Sequence, residues 1–286
     1  MVWYSGLAIM RYTYSLIILI ALLTFGVSCN QVEKYKTWKS YRGDNGINAY
    51  SRIDQINKTN VKDLQVAWTY QSGDHSEYSK IECNPIIIDT LLYGISPKLK
   101  TFALNAKTGK EIWVYDPFEP GSKKGGFNRG LTYWEADGEK RILVCAGSKL
   151  IALDALTGKM FPDFGENGFV DLRKGLRDDN QIEKYEVTNT SPGVVFENLI
   201  VVGSSTKENY DALPGDIRAY DVRTGELKWA FHTIPRPGEF GYDTWSKNSY
   251  EKLGGANAWS GLSIDQARGI VFAATGAPAF DFYGAE

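Results

Sequence analysis

Past residue 35 the chain reads as short apolar runs separated by turn residues. Pro85–Asp89 with Leu91–Tyr93, Arg141–Ala146 with Leu150–Leu153, and Gly193–Val195 with Leu199–Gly203 are pairs of such runs, each bounded by Gly, Asp, Asn or Pro. They are rich in Ile and Val and too short for globular helices, so they predict strands paired in hairpins. Thr59–Leu64 is the one stretch that reads as a helical turn, with Asn60 placed to cap its start. Asp74–Lys80 and Asp178–Glu186 read as polar loops, and Pro235–Gly254 as a long connection lying across one face.

The runs repeat. Ala103–Trp113 (ALNAKTGKEIW), Ala152–Pro162 (ALDALTGKMFP) and Ala219–Trp229 (AYDVRTGELKW) share one pattern, and Ser263–Ala273 (SIDQARGIVFA) reads as a worn fourth copy. The pattern describes a strand, a tight Asp/Asn-x-x-Thr-Gly turn whose glycine takes a positive φ, and a second strand ending on Trp. Gly109, Gly158 and Gly225 recur at spacings of 49 and 67 residues, which suits four-stranded blades with loops of variable length. The expected fold is therefore all-β, a propeller of four-stranded antiparallel blades, with about four blades present and each terminal Trp docking on its neighbour. Four such blades do not close a ring, so the expectation is that residues 30–286 form the N-terminal portion of a longer propeller.

Composition agrees with this picture and removes several function classes. The 286 residues carry 8 Trp, 17 Tyr and 29 Gly, a profile of short strands and turns. The net charge of −2 offers no basic excess for a polyphosphate backbone, so no nucleic acid is expected as partner. His75 and His232 are the only histidines, too few for a multi-histidine metal site.

The first 29 residues read as an address. Arg11 precedes the apolar run Leu16–Leu23, and small residues lead to Cys29, the order of a lipoprotein signal with acylation at Cys29. The uncharged stretch Tyr12–Val32 is also long enough for an uncleaved anchor helix. Both readings put the domain outside the cytoplasm, on the periplasmic face of a membrane. There Cys83 and Cys145 are read as two buried free thiols in strands.

The A-x-D-x-x-T-G-K-x-x-W pattern resembles the tryptophan-docking motif of eight-bladed PQQ-type propellers. Trp38–Ile56 (WKSYRGDNGINAYSRIDQI), Leu64–Gly73 (LQVAWTYQSG) and Phe127–Trp134 (FNRGLTYW) resemble the quinoprotein alcohol and glucose dehydrogenases. The resemblance implies oxidation of an alcohol or an aldose sugar, with electrons passing through PQQ to a quinone or cytochrome c acceptor, and a Ca²⁺ or similar hard cation beside PQQ. It maps Glu82 (IECNP), Arg129 (NRGLTYW), Thr190 (TNTSP) and Ser205 (GSSTKE) onto cofactor-binding positions, with Arg129 pairing a PQQ carboxylate. It also maps Trp259 (GGANAWSG) onto the floor beneath the cofactor ring and Glu208 onto a metal ligand. A planar guanidinium suits a carboxylate, a broad indole suits a flat tricycle, and a carboxylate oxygen suits a hard cation.

The chain departs from that pattern in three places. Lys123-Lys124 stand where alcohol-oxidising members have adjacent cysteines, and Gly125 where the glucose branch has histidine. Ala277 in Thr275-Gly276-Ala277-Pro278 replaces an expected Asn ligand. The resemblance puts the catalytic Asp in an H-D-x-W-D-like stretch of the next blade, so no catalytic residue is assigned in this chain, which is expected to be inactive alone. Two other classes compete: a non-catalytic propeller lipoprotein serving as scaffold in outer-membrane protein assembly, and a pseudo-enzyme binding sugar or polymer along an aromatic rim. The NRG-x-x-YW stretch and the long connection before Trp259 favour the enzyme.

Overall fold

The structure, a computed structural model, describes residues 36–122, 124–177 and 182–280. The signal segment, Lys123 and the start of the Asp178–Glu186 loop lie outside the described residues. Strands β1 (Ile86–Ile88), β2 (Leu91–Ile95), β3 (Thr101–Asn105) and β4 (Glu111–Tyr115) form one antiparallel sheet in chain order. β5 (Thr132–Ala136), β6 (Glu139–Ala146), β7 (Lys149–Asp154) and β8 (Phe169–Asp171) form a second. β9 (Val194–Phe196), β10 (Leu199–Val202), β11 (Ile217–Asp221) and β12 (Leu227–Phe231) form a third. β13 (Leu262–Asp265) and β14 (Ile270–Ala273) make a two-stranded hairpin. Among the described residues no helix is long and apolar enough to cross a membrane.

The core is divided among the faces between successive sheets. Ile86, Ile95 and Ala103 of the first sheet meet Ile142, Val144 and Ile151 of the second. Leu143 and Leu150 meet Ile200, Val202 and Tyr220 across the next face, and Val194, Val201 and Ala219 meet Leu262 and Ile264 across the third. The first strands β5, β9 and β13 lie side by side, so they line a common axis. These are blades of a partial propeller, as the repeat predicts.

The repeat's residues each have a mechanical task. Asn105 Oδ1 accepts the N–H of Lys107 and Thr108, both at 3.0 Å. Asp154 Oδ1 accepts Leu156 and Thr157 N–H, and Asp221 Oδ1 accepts Arg223 and Thr224 N–H. The following glycines Gly109, Gly158 and Gly225 sit at φ of +70°, +69° and +73° and donate back to the carbonyl that opened the turn. A side chain at the first two would also collide with an indole. A Cβ on Gly109 would stand 2.6 Å from Trp68, and one on Gly158 would stand 2.5 Å from Trp113. Each indole N–H then donates to a carbonyl of the turn it covers, Trp68 to Ala106 O at 3.2 Å and Trp113 to Ala155 O at 3.0 Å.

The third joint is built differently. Pro162 stands in the Trp position, and the fourth strand of the second sheet is interrupted. Met160 bridges Leu153, while β8 resumes the pairing against Lys149–Ile151. The intervening loop carries Gly165, whose N–H donates to Thr224 O at 2.7 Å and whose backbone occupies the place an indole would take over Gly225. The Thr-Gly turn at Gly158 thus leads into a single bridged residue rather than directly into a strand.

Three readings from the sequence change. Ser263–Ala273 is not a worn copy of the outer hairpin but the inner hairpin β13–β14, since β13 lies against β9. It mimics the motif because Asp265 caps the same kind of turn, accepting Ala267 and Arg268 N–H, with Gly269 at φ +65°. The helical turn is a 3-10 turn at Val61–Asp63 without a side-chain cap, because Asn60 spends its amide on Gln55 O and Asn57 N–H. Cys83 lies outside the strands and is only partly buried, whereas Cys145 is buried in β6 and both are free. Pro235–Gly254 contains a 3-10 turn at Tyr242–Thr244 and one α-helical turn at Ser249–Lys252.

Asp74 ties the approach to β1 onto the β2–β3 loop. Its carboxylate accepts from Ser72 Oγ (2.6 Å), Ser96 Oγ (2.5 Å) and Lys98 N–H (3.2 Å). Burial works against the charge, but these donors and the nearby Lys100 outweigh it and hold the carboxyl below its usual value.

Gly158→Ala is expected to lower stability by about 2–4 kcal/mol, since the methyl meets both a positive φ and the Trp113 ring, and Trp113→Ala by about 3–5 kcal/mol. Urea unfolding measures both. Asp74 contributes stability that is present above the unfolded carboxyl's pKa, near 4, and is lost as pH falls through its lower folded value. Asp74→Asn should therefore destabilise at pH 7 and flatten the acid limb of a stability–pH curve. A parallel acid limb in the variant would overturn this assignment.

Candidate functional site

The alternation of strand direction decides where the site can be. The connections running from one sheet to the first strand of the next all leave at one axial end, together with the loops between second and third strands. The Thr-Gly turns lie at the opposite end. The segments that carry the motif residues are therefore brought together at the connection end.

Arg129 is the centre of what meets there. It precedes β5, and its Nη1 donates to Thr190 Oγ1 at 3.0 Å and Thr190 O at 3.3 Å. Longer contacts reach Ser191 Oγ and Trp259 O, both at 3.5 Å, and Nη2 pairs with Glu82 Oε2 at 3.3 Å. The guanidinium lies 5.4 Å from the Trp259 ring centre and equally far from Phe127. Thr190 and Ser191 hydroxyls donate to Trp259 O at 3.3 and 2.7 Å. Four of the expected residues, Glu82, Arg129, Thr190 and Trp259, thus form one contact group drawn from four successive connections. The Trp259 side chain stays 45% exposed, so its broad face is available.

Ser205 and Glu208 stand one step away. Ser205 pairs through its backbone with Thr188, two residues before Thr190. Glu208 Oε1 accepts from Asn257 Nδ2 at 3.4 Å. A methyl placed on Gly276 would lie 3.5 Å from Glu208 Oε1 and 3.7 Å from Trp259 Nε1, so carboxylate and indole N–H meet over that glycine.

The sequence reading missed the asparagines that hold these residues in place. Asn128, Asn189 and Asn257 are all buried. Asn128 donates to Cys145 O and Asn189 O, and Asn189 donates to Gly203 O. Asn257 accepts Thr206 N–H and Oγ1 and donates to Thr206 O. They tie the connections to the end of β6, to the β10–β11 loop and to one another through backbone groups. The recurrence of Asn shortly before each inner strand (NRG, NTSP, NAWSG) was the available signal.

The connection delivering Trp259 is anchored at its start by polar contacts. His232 Nδ1 lies 2.6 Å from Glu239 Oε1, and Nε2 lies 4.0 Å from Asp216 Oδ2. Burial pushes the Asp216 carboxyl up, against the pull of His232. Burial also opposes the charge on Glu239, but Arg236 N–H and His232 together hold its carboxyl low.

A bare indole face, a guanidinium and hydroxyls at its edge, and a displaceable carboxylate partner suit a flat polyanion. The donor set suits a hard cation poorly. Glu208 supplies oxygens, but Asn257 turns its amide nitrogen to Glu208, the Ala277 side chain supplies no oxygen, and no group of three or more His, Cys, Asp or Glu among the described residues is placed to hold a metal. Lys124 turns its ammonium toward Phe118, 5.9 Å from the ring centre.

Residues 38–286 match the family described as PQQ: Glucose/ethanol/alcohol dehydrogenase, beta-propeller domain. The chain is 30% identical to the quinate/shikimate dehydrogenase (quinone) of Acinetobacter baylyi, over 90% of this chain and 35% of that protein. It is 31% identical to quinoprotein glucose dehydrogenase A of Acinetobacter calcoaceticus, over 87% and 34%. It thus spans about a third of the length of these relatives. The quinohemoprotein alcohol dehydrogenase of Comamonas testosteroni superposes with a TM-score of 0.66 at 28% identity, covering 86% of this chain and 36% of that one. A quinohemoprotein alcohol dehydrogenase from Pseudomonas putida HK5 superposes with a TM-score of 0.69 at 26% identity, covering 86% and 35%. On the match from residue 38 to 286 and on its blade architecture, the chain belongs to the PQQ glucose/ethanol/alcohol dehydrogenase β-propeller family.

Proposed function

We propose that this chain carries the PQQ bed of an exported dehydrogenase that oxidises alcohols or aldose sugars and passes the electrons to a quinone or cytochrome acceptor. The observation that carries the reading is the convergence of Glu82 and Thr190 on Arg129, whose guanidinium lies 5.4 Å from the ring of the half-exposed Trp259. PQQ, when bound, supplies the two-electron acceptor for the substrate's hydride. The chain's residues bind and orient it. Trp259 offers the flat floor, Arg129 the guanidinium for a carboxylate, and Thr190 and Ser205 the hydroxyls at the edge. Glu82 holds Arg129 in place until a cofactor carboxylate shares it. The cation has no role in this proposal, because its donor set is incomplete at Ala277. The general base is assigned to no residue of this chain.

The substrate class follows the relatives named for quinate/shikimate, glucose and alcohols, all hydroxyl-bearing small molecules. Export with lipid on Cys29, leaving the propeller on the periplasmic face, follows from the Arg11, Leu16–Leu23, Cys29 order. Mass spectrometry of the mature N-terminus is expected to find acylated Cys29, and a mature chain beginning at Met1 would refute this.

PQQ titration of the full-length protein tests the cofactor assignment. Arg129→Ala is expected to weaken binding by about 2–4 kcal/mol, leaving a carboxylate unpaired in a partly desolvated bed. Trp259→Ala should weaken it as well, through lost stacking. Unchanged PQQ affinity in Arg129→Ala would overturn the assignment and favour a non-catalytic scaffold.

A further inference from the structure

Residues Trp38–Ile47 belong to no sheet, yet they are held at both ends by inner strands. Trp38 O accepts Ile87 N–H of β1 at 2.9 Å, and Asn45 O accepts Ile264 N–H of β13 at 2.9 Å. The segment therefore crosses from the first sheet to the last. Between these anchors it turns tightly, with Gly43 N–H donating to Ser40 O at 2.9 Å and Ser40 Oγ to Asn45 Oδ1 at 3.0 Å. The Trp38 ring covers Gly43, which sits at φ +99° with no room for a side chain.

Tyr41 is carried at the crest of this crossing. Its ring comes 3.1 Å from the place a methyl on Gly130 would take, and 3.7 Å from that of one on Gly261. Gly130 directly follows Arg129, and Gly261 is two residues past Trp259. Gly261 also faces Ser191, the residue that donates to Trp259 O. The Tyr41 ring is thus wedged between the two backbone segments that carry the guanidinium and the indole. Beside it opens a chamber of about 440 Å³ that runs along the inner strands from Leu131 and Pro192 to Ala136 and Glu197. Tyr41 stands where this chamber meets the site.

We propose that Tyr41 is a positioning residue for the PQQ bed. Its ring sets the separation of Arg129 from Trp259 and closes the bed off from the axial chamber. The inference rests on the cofactor reading above but adds a residue that touches neither PQQ nor substrate. Gly130 is needed for the wedge, because a Cβ there would press on the ring. Without the ring, the Arg129 and Trp259 segments lose their common spacer, and a bed misplaced by about 1 Å loses much of its complementarity.

The test is PQQ affinity of the full-length protein, read from quenching of tryptophan fluorescence, alongside urea unfolding midpoints. Tyr41→Ala should bind PQQ at least about tenfold more weakly. Tyr41→Phe, which keeps the ring, should restore affinity to within about threefold, a rescue that separates spacing from any role of the hydroxyl. Gly130→Ala should weaken binding in the parent but add little in the Tyr41→Ala background, because the two changes act on one contact. Should Tyr41→Ala not fold, Gly130→Ala alone decides the matter, and unchanged affinity there overturns the proposal. Parent-like affinity in Tyr41→Ala, with Arg129→Ala still weakened, overturns the positioning role and leaves the cofactor reading standing. A parent protein that binds no PQQ overturns both.

Discussion

An indole ring laid flat over a glycine in the left-handed region is the joint on which the rest of this molecule depends. Trp113 over Gly158 joins the first sheet to the second, and Trp68 over Gly109 joins the segment before β1 to the first sheet, each through a contact that excludes any Cβ and adds an indole N–H bond to a turn carbonyl. The joint serves twice. It buries a large aromatic surface between blades, and it fixes their relative rotation, because both the flat ring and the N–H must be satisfied together. Beyond that joint, β5, β9 and β13 lie side by side on one axis, and the alternation of strand direction sends every inter-sheet connection to the same end.

The joint tolerates a substitute when the space is filled by backbone. At Gly225 the loop that interrupts the second sheet supplies Gly165 and a 2.7 Å hydrogen bond to Thr224 O where the first two joints have an indole. Trp229 covers no turn glycine among the described residues and is 40% exposed. With Leu227, Phe231, Ile270 and Phe272 it leaves an apolar face bare on the third sheet and the β13–β14 hairpin.

The site is an economy of backbone satisfaction. Connections that leave a sheet give up strand pairing, and the buried amides of Asn128, Asn189 and Asn257 tie them to the end of β6, to the β10–β11 loop and to one another. These ties hold otherwise irregular segments close enough for Arg129, Thr190 and Trp259 to touch. The Arg129–Glu82 pair at the centre is partly solvated, with side chains 22% and 33% exposed, so the pairing itself stabilises the fold little. Such a pair is open to exchange with an incoming carboxylate. The Asp216–His232–Glu239 group ties the start of the longest connection by polar contacts, beside the buried Ile234.

Much was legible along the chain because it is local. The Asp/Asn-x-x-Thr-Gly turn is specified by one side-chain oxygen, two N–H groups and a glycine within five positions, so Gly109, Gly158 and Gly225 announce their hairpins before any fold is known. The same locality misled at Ser263–Ala273. Asp265 and Gly269 make an equivalent turn, and turn chemistry does not say whether a hairpin is the inner or the outer one of its sheet. The site residues were named by motif, but their meeting was decided only by tertiary structure. Glu82, Arg129, Thr190 and Trp259 are separated by tens of residues, and nothing local brings a guanidinium to an indole across that distance. Tyr41 was illegible for the same reason, and the asparagines showed only as a recurrence before the inner strands. Their partners are backbone groups and Cβ-less gaps on other connections, which exist only once the blades have been set side by side.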